Sequence, residues 1–460
     1  MTDTIAAIST AVGEGGIGII RISGPSALDC GMRVFVFSSS HEVDRENIKE
    51  RYLYYGRVCR DDKTIDNGFF VYMAGPATYT GVDVVELYCH GGQLVLKNIL
   101  SAVLSSGARP AMPGEFTKQA FLNGKMDLAQ AEAIVDVIRA ETELALSCAR
   151  SRLDGVFSKR VNKIKDALTN ALTLMEAQLD FPEEELPTPD MLPVFASAQR
   201  EIKTLLDTYE EGTALKNGVR VIIAGRPNVG KSSLLNILLK EERAIVTPHP
   251  GTTRDVIEET INLRGLPVRL MDTAGLTFTD DPVEAIGVAR ARERMKEAHL
   301  ILYVVDSASA FDEDIGIIKE QDGKKLLIVA NKADLLSEAN EKGRNDLQRA
   351  FKGHKLSFTS AMRSSGIEEL KDAIFEAISG RLAHEAADTA TSGLVVSLRH
   401  KLSLEKAFGA VERAKEAASG PLELCAVDTR IALTSLGEIT GEVTTEDILD
   451  RIFSEFCIGK

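Results

Sequence analysis

The chain has 460 residues, and its 54 Lys and Arg against 68 Asp and Glu give a formal net charge of −14. A protein that coats nucleic acid over its whole surface needs a cationic face that displaces counterions. The charge balance excludes that class, so any RNA contact has to be local or shared with a more basic partner.

Length and composition predict a globular protein of about three domains, because 44% of the residues are apolar and 27% are charged. The apolar runs are too short to cross a membrane, and the first residues lack the basic segment and apolar core of a signal peptide. Six cysteines lie far apart without a C-x-x-C pair, which favours reduced thiols over a zinc site or disulfides. We therefore expect a cytoplasmic protein with no membrane contact.

Residues 1–120 have the texture of a mixed α/β domain. The stretch "TIAAISTAVGEGGIGIIRISG" predicts a strand, a glycine turn and a second strand. Two further strands are predicted by "GFFVYMAG" and "DVVELYCHGG", which are rich in Val, Phe and Tyr and are closed by Gly or Pro.

Residues 121–216 and 383–460 have a helical texture. One packed face is predicted by the apolar residues that recur at helical spacing, namely Leu128, Ala131, Ile134, Val135 and Ile138. The acidic, proline-rich stretch "DFPEEELPTPDMLP" predicts a loop between two helices. The economical interpretation is one helical domain that is split by an insertion, although two separate helical units would produce the same pattern.

Residues 217–382 alternate short β-branched runs with helical stretches. The predicted strands are "VRVIIAG", "VRLMDTAG", "LILYVVDS" and "KKLLIVANKAD". Apolar strands that are separated by helices predict a mostly parallel sheet covered on both faces.

The stretch "GRPNVGKSS" (225–233) fits the phosphate-binding pattern G-x-x-x-x-G-K-[ST] and lies between a predicted strand and a predicted helix. Backbone amides of such a loop and of the following helix N-terminus hold phosphate oxygens. Lys231 adds a positive charge at the outer phosphates, and the Ser232 hydroxyl is the expected magnesium ligand.

Three further motifs follow in the order typical of GTPases, namely "DTAG" (272–275), "NKAD" (331–334) and "TSA" (359–361). The aspartate of "DTAG" is expected on the magnesium side and its glycine at the γ-phosphate. Asp334 accepts hydrogen bonds from N1–H and the exocyclic amine of guanine, a pair that adenine cannot supply. We therefore predict a site that is specific for GTP over ATP.

Between the first two motifs lies "TPHPGTTRD", in which Thr253 is the natural second magnesium ligand on a switch loop. Leu276 follows "DTAG", where some GTPases have a water-orienting Gln. Hydrolysis then needs another group. Asp280, Asp281 and Glu284 are candidates, although all three also fit a solvated loop.

The chain resembles the MnmE (TrmE) family of bacterial tRNA-modification GTPases over essentially its full length. The resemblance rests on "GGIGIIRISG", "YTGVDVVELYCHGG", "PGEFTKQAFLNGKMDLAQAEAIVDVI", the GTPase motifs with "GTTRD", and the final "CIGK". It implies an N-terminal α/β domain for tetrahydrofolate binding and dimerisation (1–120), a helical domain in two parts (121–216 and 383–460), and an inserted Ras-like G domain (217–382).

The resemblance also implies a reaction. Together with an FAD-dependent partner, MnmG, in a heterotetramer-like complex, such proteins add an aminomethyl-type group (carboxymethylaminomethyl) to C5 of the wobble uridine of certain tRNAs. A tetrahydrofolate derivative, in the 5,10-methylene or 5-formyl form, supplies the one-carbon unit. Potassium and dimerisation of the G domains stimulate GTP hydrolysis, so a homodimer is expected.

Site residues follow from the resemblance by position. Potassium is expected at Asn228, Thr247, His249 and Thr252, where a cation offsets charge that develops on the phosphates in the transition state. The expected catalytic groups are Lys231, the water-positioning Glu284, and Cys457. The full set of expected GTP contacts is Asn228, Val229, Gly230, Lys231, Ser232, Ser233, Thr247, Thr252, Thr253, Asp272, Thr273, Ala274, Gly275, Asn331, Lys332, Asp334, Ser360 and Ala361.

Folate contacts are expected at Arg21, Glu86, Lys125 and the C-terminal Lys460. The glutamate tail of folate calls for a cation, and the amide and amine edge of its pterin ring calls for a carboxylate. Without the resemblance, an ion pair at the end of a strand is the preferred explanation for Arg21, Glu86 and Lys125.

The final residues "SEFCIGK" allow three interpretations. They fit a prenylation box, but a final Lys is unfavourable there, and chain ends are commonly frayed. The resemblance favours a tail that the helix "TTEDILDRIFSEF" docks, so that Cys457 and Lys460 reach the folate pocket. Cys457 is then a candidate for one-carbon or redox chemistry.

Two other functions share part of this pattern. A ribosome-assembly GTPase has the same nucleotide motifs but predicts a basic RNA-binding appendage, which the sequence does not show. A dimerisation scaffold with a decayed GTPase is disfavoured by the intact Lys231, Ser232, Thr253 and Asp334.

Overall fold

The computed structural model describes residues 3–11, 13–38, 43–181, 190–242, 258–272, 298–308, 312–319, 325–336, 341–379, 393–418 and 420–460. The chain forms two compact units. One combines Met1–Val135 with Leu436–Lys460, and the other is Asp136–Ser435.

The first unit contains a seven-stranded sheet. Its strands are β1 (Ile5–Ile8), β2 (Gly15–Ser23), β3 (Phe35–Phe37), β4 (Tyr54–Arg60), β5 (Lys63–Met73), β6 (Val84–Gly91) and β7 (Arg109–Pro110), in the order β3-β4-β5-β6-β2-β1-β7. All neighbouring pairs are antiparallel except β1 with β7. The predicted strand–turn–strand and the two further strands are confirmed.

Helices cover one face of this sheet. They are α1 (Ala27–Val34) and α2 (Gln93–Ser105), and α3 (Glu115–Leu122) follows β7. Because side chains alternate along a strand, Ile20 and Ile22 of β2 and Leu87 of β6 are fully buried with α1 and α2. Arg21 and Glu86 point to the opposite face, where the register pairs them directly across β2 and β6.

The second unit contains a six-stranded sheet. Its strands are β8 (Val219–Ala224), β9 (Glu258–Leu263), β10 (Leu266–Asp272), β11 (Leu300–Asp306), β12 (Leu326–Asn331) and β13 (Lys355–Phe358), in the order β13-β12-β11-β8-β10-β9. Only the β9–β10 pair is antiparallel. Apolar side chains are buried on both faces, so the predicted, mostly parallel and doubly covered sheet is confirmed.

Helices α9 (Lys231–Glu242), α10 (Asp312–Lys319), α11 (Glu341–Ala350) and α12 (Ile367–Ser379) connect or follow these strands. The remaining helices are α4 (Leu128–Arg139), α5 (Glu143–Leu153), α6 (Val156–Asp180), α7 (Leu192–Leu206), α8 (Tyr209–Asn217), α13 (Leu398–Ala417), α14 (Leu422–Thr440) and α15 (Glu446–Ser454). In the part of the chain that the structure describes, no helix combines the length and apolar character that a membrane crossing needs.

Helices that precede and follow the six-stranded sheet in sequence pack on one another. Helix α7 lies against α13, and the Val395 amide donates to the Thr208 hydroxyl over 3.1 Å. At Gly212 any side chain would collide with the Val395 carbonyl. In sequence, the six-stranded sheet therefore lies between helices that pack on one another, and the division into one split helical domain stays a prediction.

The predicted apolar face of α4 is confirmed in part. Leu128 and Ala131 are fully buried, and Ile134 and Val135 pack against them as partly buried side chains. Ile138 is 39% exposed, so its place on that face is a wrong prediction.

Candidate nucleotide site and N-terminal ion-pair site

The phosphate-binding loop connects β8 to α9 as the motif predicts. Gly225 and Gly230 have φ values of +145° and +98°, and side chains there would collide with the Val304 carbonyl and the Asn331 amide. Asn228 adopts the left-handed region at φ 63°. Helix α9 begins at Lys231, so its N-terminal amides face the loop, where they favour an anion.

Lys231 lies across this loop. Its ammonium donates to the carbonyl oxygens of Gly225 and Arg226 over 2.9 Å and 2.8 Å. Ser232 and Ser233 are exposed in the first turn of α9, whereas Val229 is buried in the core. The ammonium charge is therefore held over the concave side of the loop, as phosphate binding requires.

A buried carboxylate, which the sequence analysis did not predict, pairs with an arginine of the phosphate-binding loop. Arg226 pairs with Asp314 of α10 over 3.0 Å, and the Tyr303 hydroxyl of β11 donates to the same carboxylate over 3.0 Å. Asp314 is fully buried, and this burial raises the pKa of Asp314 and of Tyr303. The acidic pair at 313–314 carried no sequence signal for this role, because Arg226 lies 88 residues away in the chain.

Asn331 ties three of the predicted motifs together. Its side-chain amide donates to the Val229 carbonyl over 2.9 Å, and its side-chain oxygen accepts from the Ala361 amide over 3.0 Å. With 1% of its surface exposed, Asn331 has no water to replace these partners. The phosphate loop and the "TSA" loop are thus fixed relative to "NKAD".

We expect Asn331→Ala to weaken GTP binding about 10- to 100-fold, because the Val229 carbonyl and the Ala361 amide both lose a partner, at roughly 1 kcal/mol or more each. Titration of a fluorescent GTP analogue measures the change. Asn345→Ala, which alters an exposed Asn on α11, is the matched control. Equal affinities for the two variants would show that Asn331 does not support the loop.

Asp334 is placed to accept hydrogen bonds from a base. It lies in a short 3₁₀ helix, Ala333–Leu335, after Lys332 in the left-handed region at φ 59°. The Ser360 hydroxyl donates to its Oδ1 over 2.5 Å, and this bond lowers the pKa of the Asp334 carboxyl. Lys332 pairs with Asp306 at the end of β11 over 2.7 Å.

Only part of the predicted nucleotide site lies within the described residues. The structure places Asn228, Val229, Gly230, Lys231, Ser232, Ser233, Asn331, Lys332, Asp334, Ser360 and Ala361 around one end of the parallel sheet, and Asp272 is the last residue of β10. The predictions for Thr247, His249, Thr252, Thr253, Thr273, Ala274, Gly275 and Glu284 lie outside the described residues.

A second site occupies the sheet face of the first unit that α1 and α2 leave uncovered. Arg21 Nε donates to Glu86 Oε1 over 2.8 Å, and the Tyr88 hydroxyl donates to Oε2 over 2.7 Å. Burial and this bond to the carboxylate raise the pKa of Tyr88 to about 12. Tyr88 was missed, but its position two residues after Glu86 on the same strand face is a usable signal.

The C-terminal tail reaches this ion pair. The Gly459 carbonyl accepts from the Ser9 hydroxyl over 3.2 Å and from Arg21 over 3.4 Å. The Cys457 carbonyl accepts from the Gly114 amide over 3.5 Å. The predicted docking of the tail beside Arg21 and Glu86 is thus what the structure shows, through backbone groups rather than through the Lys460 side chain.

The other two predicted folate contacts are less tightly placed. Lys125 is exposed in the turn after α3, and among the described residues its ammonium makes no ion pair. Lys460 is half-buried, and its amide donates to the Cys457 carbonyl over 3.3 Å. The structure therefore brings together Arg21, Glu86 and the tail backbone, and the role of Lys125 stays a prediction.

The phosphate-binding loop between β8 and α9, with the "NKAD" motif at the end of β12, places the chain in the class of the P-loop GTPases. The family model for the MnmE helical domain matches residues 128–457, and the model for the GTP-binding protein TrmE N-terminus matches residues 4–125. The tRNA modification GTPase MnmE of Geobacter metallireducens is 45% identical over 474 residues, and that of Aquifex aeolicus is 44% identical over 470 residues; both alignments cover all of both chains. The chain belongs to the MnmE family, as its sequence motifs predict.

Among solved structures, the G domain of the T. maritima FeoB iron transporter covers 35% of this chain and 98% of its own length at 28% identity. The TM-score is 0.27, which is too low to bear on the fold.

Proposed function

We propose that this chain is a GTP-hydrolysing component of a tRNA modification reaction, and that with an FAD-dependent MnmG partner it adds a carboxymethylaminomethyl group to C5 of a wobble uridine. Its support is membership of a family whose relatives are named tRNA modification GTPases and match it end to end. The observation that carries the GTPase part is the linked Lys231, Asn331 and Asp334 framework.

Analysis of tRNA nucleosides from a strain that lacks this chain tests the proposal. We expect the C5-substituted wobble uridine to disappear, and to return with the wild-type chain but not with Lys231→Ala. Normal wobble uridines together with defective ribosomal subunits would instead favour the ribosome-assembly alternative.

Magnesium fits the nucleotide site because Ser232 presents a hydroxyl in the first turn of α9, and hydroxyl oxygen is a ligand that this ion accepts. Thr253 is the second proposed ligand. Potassium is assigned to Asn228, whose left-handed backbone is described, with Thr247, His249 and Thr252. A monovalent cation there neutralises charge that develops on the phosphates.

A tetrahydrofolate derivative fits the N-terminal site because the Glu86 carboxylate can accept further hydrogen bonds. Each carboxylate oxygen accepts one hydrogen bond within the protein, and a carboxylate offers about four lone-pair sites. Two sites remain for an amide and amine edge such as that of a pterin. Arg21 supplies a guanidinium beside it, and a bound folate would bring the one-carbon unit.

The macromolecular partners are proposed from membership of the family. We propose a homodimer through the N-terminal domain, a complex with MnmG, and tRNA as substrate. The net charge of −14 makes a shared tRNA surface with a more basic partner the consistent arrangement.

We expect Glu284→Ala to reduce GTP turnover about 10²- to 10⁴-fold, as the loss of a general base does, while GTP affinity stays nearly unchanged. A water-positioning group acts in the transition state and contributes little to ground-state binding. Asp280→Ala and Asp281→Ala are the matched controls. A larger loss of turnover in either control would assign the role to that residue instead.

A further inference from the structure

A cavity of about 170 Å³ lies within the second unit, in the helical segment beside the sheet. Its walls come from α4, α5 and the turn between them, from the end of α8, and from β10. None of its lining residues belongs to the nucleotide motifs. Its function is therefore not accounted for by GTP binding.

The cavity is cationic in a chain whose net charge is −14. Four basic side chains line it, and they outnumber the acidic pair Asp136 and Glu141. The basic residues are Arg139, Arg152, Lys216 and Arg269. A surplus of two positive charges in a concave site attracts a small anion.

Arg152 lines this cavity and is only 1% exposed. Its Nη1 donates to Asp136 Oδ2, and Asp136 Oδ1 is taken by the Lys216 ammonium over 3.0 Å. Within the described ranges, Arg152 Nε and Nη2 are buried without a hydrogen-bond partner. Buried guanidinium N–H groups that lack an acceptor are costly, so a partner at this edge is strongly favoured.

The unpaired edge has a specific shape. Nε–H and one Nη2–H point the same way in the plane of the guanidinium, and this fork matches two oxygens of a phosphate or carboxylate. On the β10 wall, Arg269 Nε is also buried and, in the part of the chain that the structure describes, has no acceptor. Two arginines from different elements, each with a buried guanidinium N–H group that lacks an acceptor among the described residues, thus line one cavity.

Apart from these charged residues and Asn217, the lining is apolar, with Ala145, Leu215, Pro267 and Val396 among its members. The volume of about 170 Å³ is close to that of a cavity that accepts a benzene-sized molecule, about 150 Å³. An anion with a small apolar body fills such a site better than a bare ion does.

We propose that this cavity binds a small phosphate monoester. Its phosphate lies against the Arg152 fork and Arg269 Nε, and its apolar body lies against Leu215 and Val396. Phosphate is favoured over carboxylate because its further oxygens can meet donors from both walls at once. The alternative is an ion network, Arg152–Asp136–Lys216, that holds only the helices together.

The test uses the full-length chain saturated with magnesium and GDP, so that the phosphate-binding loop is occupied. Calorimetric titration with phenyl phosphate, inorganic phosphate and benzoate at matched ionic strength measures affinity. We expect phenyl phosphate to bind most tightly. Arg152→Lys, which keeps the charge but removes the fork, and Arg269→Gln should each weaken its binding at least tenfold.

Arg150→Gln is the matched control, because Arg150 is exposed two residues earlier on α5 and does not line the cavity. Equal affinity of phenyl phosphate for all variants, or no binding to the wild-type chain, would overturn the proposal. Tighter binding of benzoate would overturn the assignment to phosphate. If Arg152→Lys does not fold, Arg269→Gln alone decides, since Arg269 lies outside the buried ion network.

Discussion

We expect Asp334→Asn to weaken GTP binding on the order of 10²-fold, which corresponds to about 3 kcal/mol, and to make xanthosine triphosphate the preferred nucleotide. The carboxylate accepts from two donors on guanine, N1–H and the exocyclic amine. An Asn amide offers one acceptor and one donor. Its donor opposes the guanine amine but matches the carbonyl oxygen that xanthine has at that position.

The geometry around Asp334 confines the effect of the substitution to the base contact. The Ser360 hydroxyl holds Asp334 Oδ1 over 2.5 Å, and an Asn side-chain oxygen can accept the same bond. The lowered pKa of Asp334 keeps the wild-type side chain ionised, and therefore without a donor, at neutral pH. The variant accordingly changes the base contact and leaves the loop in place.

Competition between GTP and xanthosine triphosphate for the same site measures the preference. Asp346→Asn removes a carboxylate from α11 that is paired only loosely, with Arg349 at 3.9 Å, and is the control for a change of charge. Unchanged GTP affinity in Asp334→Asn would show that "NKAD" does not contact the base.

The fold of the phosphate-binding loop was predictable from the sequence, because its information is local. The strand, the glycine loop and the first helical turn are contiguous, and the positive φ values at Gly225 and Gly230 are what the motif encodes. The register that pairs Arg21 with Glu86 follows from strand alternation once the two strands are neighbours. The family then supplied the reason to expect a ligand there.

The structural features that the sequence could not predict depend on contacts between residues that are distant in the chain. The buried Asp314 that anchors Arg226 and the unpaired edge of Arg152 arise from packing between elements, which no local pattern encodes. Ile138 shows the converse, because helical spacing places it with the apolar residues of α4, but in the structure it is 39% exposed. Lys125 was assigned by resemblance alone, and its role stays a prediction.

The tail of the chain is held by two kinds of contact. Phe453 and Phe456 are buried against Leu128 and Ala131, so α15 stays docked whatever follows it. Beyond them, the backbone is fixed by the Gly459 carbonyl, which accepts from Ser9 and Arg21. Gly459 has φ +95°, and a side chain there would collide with the Ile8 carbonyl. Any other residue at this position therefore displaces the last residues from Arg21.

We expect deletion of the last four residues, and equally Gly459→Ala, to reduce tRNA modification more than tenfold while GTP affinity stays that of the full chain. Modified nucleosides in tRNA from a complemented deletion strain provide the measurement. Gly316→Ala, at a position where an added side chain meets nothing, is the control. Full tRNA modification by the truncated chain would show that the last residues are only a frayed end. A mass increase of the purified full-length chain equal to a prenyl group would show that they carry a lipid anchor.

The thiol of the tail can be tested separately from its docking. Four of the six cysteines are buried, and burial raises the pKa of Cys89 to about 12 and that of Cys148 to about 11, which makes both poor nucleophiles. Cys457 is exposed two residues before Gly459, whose carbonyl accepts from Arg21. We therefore expect Cys457→Ser to abolish modification as the deletion does, with Cys59→Ser as the control. Normal modification by Cys457→Ser together with its loss in Gly459→Ala would restrict the tail to a positioning role.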